Sequence, residues 1–347
     1  MRRGSAALAA LAALIAGVTL AHARSHVGLA RPVVLHVAGQ VSDLSADGAR
    51  VAFHLRTGRC QTVWMWKPGL GLASMRPDCG HNVLVQNLTL AGSRALWVDY
   101  DTGNHVYCLL MTATLARPKP TELPECDPTD QDRELHGLAG DGSLLAFNSW
   151  YDCDAPGATC IPGHTVYDVE VWRVFSGRLK KIASGQWPVM SVDAGRILIP
   201  NGTLALFDAN GKELWMTPSS HNFTWVQGKL QGSRLVALGH GTAPCCIRSY
   251  FLAAHDSKTG RQTGDSKRVS AKASLRDFQD GIALYLLAGV GHAVRMSDGR
   301  DRAFRAPGGR PILDAELERP GLFYSYNVLG GAKRGRIAFV RFADLRR

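Results

Sequence analysis

The chain lacks every short motif that would point directly to a reaction. No G-x-S-x-G elbow, Walker loop, G-x-G-x-x-G fingerprint or H-E-x-x-H pair occurs in its 347 residues, and its eight cysteines contain no C-x-x-C spacing. Such motifs fix a nucleophile, a phosphate cradle or metal ligands in space, mostly on strand-to-helix turns, so their absence removes the familiar hydrolase, nucleotide-binding and zinc-protease readings. Helical periodicity is missing as well. Beyond the N-terminal leader no segment repeats its apolar positions at helical spacing, and none is apolar enough over a bilayer's thickness to span one. Charge is sparse at 20%, while 46% of the residues are hydrophobic, which excludes disorder, collagen and coiled coil.

What is present begins with a leader. MRRGSAALAALAALIAGVTLAHA combines two arginines, an Ala/Leu-rich run from Ala6 to Leu20 and a small-x-small end at Ala21–Ala23. This is the three-part pattern of a secretory signal, with cleavage expected after Ala23 and a short linker over residues 24–32. The apolar run is too short for a retained anchor, no cysteine offers a lipidation site, and the arginines lack the flanks of a twin-arginine signal. Cleavage lowers the net charge of +11 by two. The remaining charge is uneven, with 16 Lys/Arg against 9 Asp/Glu over residues 265–347. An exported basic domain suits a protein or an envelope polysaccharide, anionic where its charge is used, and not nucleic acid.

A glycine turn followed at once by an apolar strand recurs seven times: ADGARVAF at Gly48, AGSRALW at Gly92, GDGSLLAF at Gly142, DAGRILI at Gly195, QGSRLVAL at Gly232, QDGIALYLL at Gly281 and RPGLFYSY at Gly321. The intervals are 44, 50, 53, 37, 49 and 40 residues. After each strand comes a loop, a second β-rich run such as QTVWMWKPGLG or SYFLAAHDSKTG, and a polar turn. Repeats of this length, built from hairpins, are the signature of a propeller. The last unit ends one strand short, whereas RPVVLHVAG near the N-terminus is a spare strand. An all-β fold is therefore expected: a single seven-bladed β-propeller of four-stranded antiparallel blades over residues 33–347, with residues 33–40 completing the last blade and covering two open edges. Six blades with an insertion, or stacked sheets, are the alternatives.

The D-G-plus-strand units and the D-x-x-x-G turn in HDSKTG resemble the TolB-like and WD40-like propellers of bacterial exported proteins. The resemblance spans nearly the whole chain but rests on general repeat features. No Trp-Asp closes the blades and no tryptophan-docking repeat recurs, so it bears on shape and not on function.

An even set of cysteines suits an oxidising compartment. Cys60 and Cys79 centre on the turn at Pro68–Gly71, Cys108 and Cys126 on Arg117, and Cys153 and Cys160 between Pro156 and Gly157. Hairpin register would then pair each couple as a local disulfide. Adjacent Cys245 and Cys246 form a vicinal disulfide, stay inert, or hold a metal with His240. The last option lacks a fourth converging ligand, so no metal and no cofactor are expected.

Asp99, Asp101 and Gly103 make a D-x-D-x-G that lacks the later ligands of a calcium loop and reads as a hairpin turn. Asn87, Asn201 and Asn222 open N-x-[ST] triplets that matter only in a glycosylating host. Trp64, Trp66, Trp172 and Trp215 read as core between blades. In a four-stranded blade the second-to-third and fourth-to-first connections share one face, and two of the former are long: NSWYDCDAPGATCIPGHTVYD and GHGTAPCCIRS. Long loops on a rigid frame are where binding concentrates. The candidate binding residues on that face are Asp99, Asp101, His105, Trp150, Tyr151, Asp152, Asp154, His164, His240 and Arg248, with Asp168 in the blade 3 loop and His81 and His221 on fourth-to-first connections. The expected function is a monomeric, non-catalytic scaffold binding a protein or glycan there. Its alternative is a polysaccharide lyase or hydrolase whose acids and histidines converge from several blades.

Overall fold

The computed structural model describes residues 32–76, 83–102, 106–123, 133–151, 166–173, 178–184, 189–200, 202–218, 223–241, 249–328 and 334–342. In them, 28 strands form seven four-stranded antiparallel sheets, and the helical content is a short 3-10 turn at Pro307–Gly309 and a single helical residue, Phe342. The first strands of blades 1 to 7 are Gln40–Asp47, Val83–Ala91, Arg133–Asp141, Ser191–Asp193, Phe223–Gln231, Ser274–Gln279 and Asp314–Glu318. Each touches the first strand of the next blade, and that of blade 7 touches that of blade 1, so the ring is closed around a central channel. Every glycine turn picked out by the repeat joins the first strand of a blade to its second. Each is a tight reversal, and Gly48, Gly92, Gly142, Gly195, Gly232 and Gly281 take the positive φ that such turns require.

Alternation along the strands distributes the core. In blade 1 Ala52 and Met65 pack toward blade 2, whereas Phe53 and Trp66, one residue along, pack toward blade 7. The same period-2 division yields seven buried clusters, one for each interface between blades. Trp66 and Trp172 are core as expected, Trp64 and Trp215 are half-buried, and Trp97 is the fully buried tryptophan of blade 2. The first strands of blades 1, 2, 3, 5 and 6 carry a bulge at a similar depth. In blades 1 to 3 its left-handed residue is Asp43, Asn87 or Gly137, the types that tolerate this region. Asn87 donates its Nδ2 to the Leu135 carbonyl at 2.8 Å, so its side chain serves the next blade.

Closure follows the expected route. Val33–Ala38 is the outer strand of blade 7 and pairs antiparallel with Arg334–Arg341 from Val33 opposite Phe339 to Ala38 opposite Arg334. The seam needs glycine at two points. A Cβ on Gly335 would lie 2.4 Å from Val41 Cγ2, and one on Gly39 would lie 2.7 Å from the Arg56 carbonyl oxygen. No helix among the described residues is long and apolar enough to cross a membrane.

Candidate functional site

The channel opens at two ends with different chemistry. At the end carrying the glycine turns, a cavity of about 350 Å³ is lined by residues of all seven blades, including Asp47, Asp141, Asp193, Lys229, Asp277, Glu316 and Glu318. Most of these acids are structural ties. Asp47 accepts from the Gly92 amide at 2.5 Å, Asp141 from Ala194 at 2.8 Å, Asp193 from Gly232 at 2.8 Å, and Gln231 from Asp280 at 3.0 Å. Each side chain at the end of a first strand thus caps the turn of the following blade. Blade 2 has Ala91 at this position, and Asp47 reaches past it to take the Gly142 amide at 3.1 Å as well. The Asp of the turns at Gly48, Gly142 and Gly195 is therefore a rung between blades as well as a turn residue. Burial, together with repulsion from Asp47 and Asp193, raises the Asp141 carboxyl above its ordinary range. Burial next to Asp277 and Asp47 pushes Glu318 up to about 8, and burial beside Asp277, opposed by Lys229, keeps Glu316 well above the usual carboxylate range.

The opposite end carries the second-to-third loops. A cavity of about 380 Å³ there is lined by Ser42, Asp43, His54, Arg56, Gln61, Arg276, Asp314 and Asn327 among others. Asp43 Oδ2 lies 3.0 Å from His54 Nδ1, and this bond is the largest cause holding the Asp43 carboxyl below its ordinary range. His54 is buried, and its Nε2 is enclosed with no hydrogen-bond partner among the described residues, so the ring is out of reach of a substrate. Asp314 accepts from the Leu44 and Ala315 amides at 2.8 Å each and faces Arg276 Nε at 3.4 Å. Burial raises its carboxyl despite that arginine.

Beside this mouth, at the seam, lies a larger open cleft of about 930 Å³. Its described lining is His36, Val37, Ala38, Gly39, Gln40, Arg56, Thr57, Gly58, Arg334 and Arg336, and no carboxylate is among these residues. The fold builds it from three distant segments: the end of the closing strand, the second-to-third turn of blade 1 and the start of the third strand of blade 7. The Thr57 hydroxyl donates to the Ala38 carbonyl at 2.9 Å and Arg56 Nε to the Gly58 carbonyl at 3.2 Å, which fixes the turn against the closing strand. Arg56 lines both cavities, so the seam cleft runs on into the channel mouth.

Those candidate binding residues singled out from sequence that are described line none of these cavities. Asp99 and Asp101 are not in a turn: both lie in the strand Arg94–Thr102, Asp99 between Val85 and Leu109, and Asp101 between Val83 and Tyr107. The strand tolerates Asp99 because Arg76 Nε lies 3.0 Å from its Oδ2 and Trp97 Nε1 donates to its Oδ1 at 3.1 Å. Burial still raises its carboxyl, with Arg76 opposing. Trp150 and Tyr151 likewise belong to the strand Leu144–Tyr151, paired with Glu134 and Tyr167 and with Arg133 and Val166, because two strand-favouring aromatics extend the ladder into what reads as a loop. Asp168 is in the strand Val166–Arg173, opposite Ser149 and Ser184. His240 is in Arg234–Gly241, with its ring 5.0 Å from that of Tyr250. Asp99 in blade 2 and His240 in blade 5 are not on adjacent blades and do not converge. His81, His105, Asp152, Asp154, His164, His221 and Arg248 lie outside the described residues, as do Cys79, Cys126, Cys153, Cys160, Cys245 and Cys246. Cys60 is disulfide-bonded, and Cys108 stands opposite Tyr100 in its strand. Among the described residues no three His, Cys, Asp or Glu side chains are grouped to hold a metal. Sequence reasoning missed the seam cleft. Its signal was the basic excess of the C-terminal quarter combined with the spare N-terminal strand.

No family model matches the chain, and no curated protein matches it in sequence. Solved structures do. The WD40 domain of Toxoplasma gondii coronin is similar over 90% of this chain and 87% of its own, with a TM-score of 0.50 at 13% identity. The chain folds as a WD40-like β-propeller. A prolyl endopeptidase structure is similar over 94% of this chain with a TM-score of 0.56 at 15% identity, and the WD40-like propeller spans about half of that chain, 51%. At such identities the likeness is one of fold.

Proposed function

We propose that this propeller is an exported, monomeric binding scaffold that engages an anionic macromolecule, without catalysis, through the face carrying its second-to-third loops. The observation that carries the reading is the seam cleft, which His36, Arg56, Arg334 and Arg336 line with no carboxylate among its described residues. Clustered guanidinium groups favour oxyanions and speed their encounter. The nearby ionisable groups support binding over chemistry, since a general acid or base must reach the proton it moves. Asp99 is engaged by Arg76 and Trp97, Asp314 by two amides, and the Nε2 of His54 is enclosed.

Retention on a carboxylated matrix tests this reading. Arg334→Glu with Arg336→Glu should elute far earlier than a Lys212→Glu, Arg300→Glu pair, which changes the net charge equally on the turn face. Equal shifts would show that bulk charge alone is at work and would remove the cleft from the account. For export, the mature chain should begin at Arg24; an intact leader on material from the extracytoplasmic fraction would contradict it.

A further inference from the structure

The spacing of the cations in the seam cleft suggests which anionic partner it takes. We infer that the cleft binds an extended acidic peptide segment with carboxylates at alternate positions, an inference that rests on the binding role assigned above. Arg334 and Arg336 are two apart on one strand, so they share a face with a repeat of roughly 6.4–6.8 Å. Register places His36 directly opposite Arg336 on the closing strand, and Ala38 opposite Arg334. Cross-strand partners lie on the same face, which sets an imidazole beside one guanidinium and an open apolar position beside the other. Ala38 and Arg334 are exposed, and His36 is exposed at the outer edge of the blade. Arg56, on the blade 1 turn, lines the opposite wall, with its Nε hydrogen-bonded to the Gly58 carbonyl.

An extended peptide has the same period-2 geometry. Acidic side chains at positions i and i+2 repeat at the same distance as the two arginines and can each be taken by a planar fork. An intervening side chain meets Ala38, the exposed apolar position beside Arg334. A polysaccharide is the poorer fit, because the described lining residues include no Trp, Tyr or Phe on which a sugar ring could stack. Asp43 and Asp314, the carboxylates among the described residues of the adjoining cavity, are already engaged by His54 and by Arg276 with two amides, so they do not offset the cleft's charge.

The test is fluorescence anisotropy on the full mature chain at low salt. Its probes are a labelled ten-residue peptide alternating Glu and Thr, the matching Gln/Thr peptide, and a block peptide of five Glu then five Thr. Polygalacturonate and inorganic phosphate serve as competitors. The alternating peptide should bind at least tenfold more tightly than its Gln form and at least threefold more tightly than the block form. Arg334→Glu with Arg336→Glu should lose at least tenfold, and Arg300→Glu on the turn face should stay within twofold. A melting temperature matching the wild type checks that the double variant is folded. Equal affinity for block and alternating peptides would overturn the register argument. If polygalacturonate binds through the two arginines while the peptides do not, the peptide inference falls and the scaffold reading survives. If inorganic phosphate alone displaces the probe completely at low millimolar concentration, the cleft is a small-anion site and the inference falls. If no polyanion depends on those arginines, both fall.

Discussion

Replacing Asp47 by alanine tests how the ring is held. Its Oδ2 takes two amides from two other blades, Gly92 at 2.5 Å and Gly142 at 3.1 Å. The Gly92 amide is half-buried and the Gly142 amide exposed, so water replaces the second bond far better than the first. A hydrogen bond to a charged group contributes about 1.5–3 kcal/mol, and an exposed one falls at or below the bottom of that range. Loss of the Asp47 charge also relieves Glu318, whose carboxyl it pushes upward, and this offsets part of the cost. The net expectation is a destabilisation of about 2 kcal/mol, or roughly 3 °C in melting temperature for a chain of this size. Asp47→Asn keeps one neutral acceptor and should lose about half as much. Thermal and urea denaturation of the three proteins read this directly. An alanine variant within 1 °C of the wild type would refute the view that these carboxylates tie one blade to the next.

Stability should depend on pH through two groups of opposite sign. Asp301 meets His292 Nδ1 at 3.0 Å, the Tyr285 hydroxyl at 3.0 Å and Lys267 Nζ at 3.2 Å, and despite burial its carboxyl is lowered to about 2 by His292 and Lys267. Its stabilisation is present above the unfolded value near 3.8 and is lost as pH falls through about 2, so Asp301→Asn should cost stability at pH 6 and little at pH 2, read by denaturation at both. Glu318, raised from 4.5 to about 8, penalises the fold increasingly as pH rises between those values, so Glu318→Gln should stabilise at pH 9 and not at pH 4. Peptide mapping without reduction should recover Cys60 joined to Cys79, a link closing a loop long enough to contribute about 3 kcal/mol; Cys60 joined to any other cysteine would break the register argument.

Much of the architecture was legible because local and global signals agree. The turns at Gly48, Gly142 and Gly232 declare themselves through chemistry that few other residues permit, and RPVVLHVAG reads as a strand without a local partner. The rungs between blades were not legible, since Asp47 and Gly142 stand 95 residues apart and a D-G pair looks like turn chemistry alone. Asp99 misled for a related reason: its role depends on Arg76, which sits on the preceding blade and leaves no trace in the D-x-D-x-G spacing. Blade 1 pairs Trp64 with Ser74, and Met75 and Arg76 both donate to the Val63 carbonyl, an irregularity that simple centring on the Pro68–Gly71 turn does not anticipate. In blade 2 Leu110 pairs with Leu123, and the ladder shifts register between Thr112 and Thr114. The seam cleft was the least legible feature, because His36, Arg56 and Arg334 become neighbours only when the two ends of the chain close the ring.

Hydrogen–deuterium exchange on the mature protein, with and without the alternating Glu/Thr peptide at saturation, tests the central claim most directly. Protection should concentrate over residues 36–40, 56–58 and 334–336, on the face of the second-to-third loops, and should disappear in the Arg334→Glu, Arg336→Glu variant. Protection confined to the turns around Asp208 and Asp298 would contradict the account and move the binding surface to the opposite face.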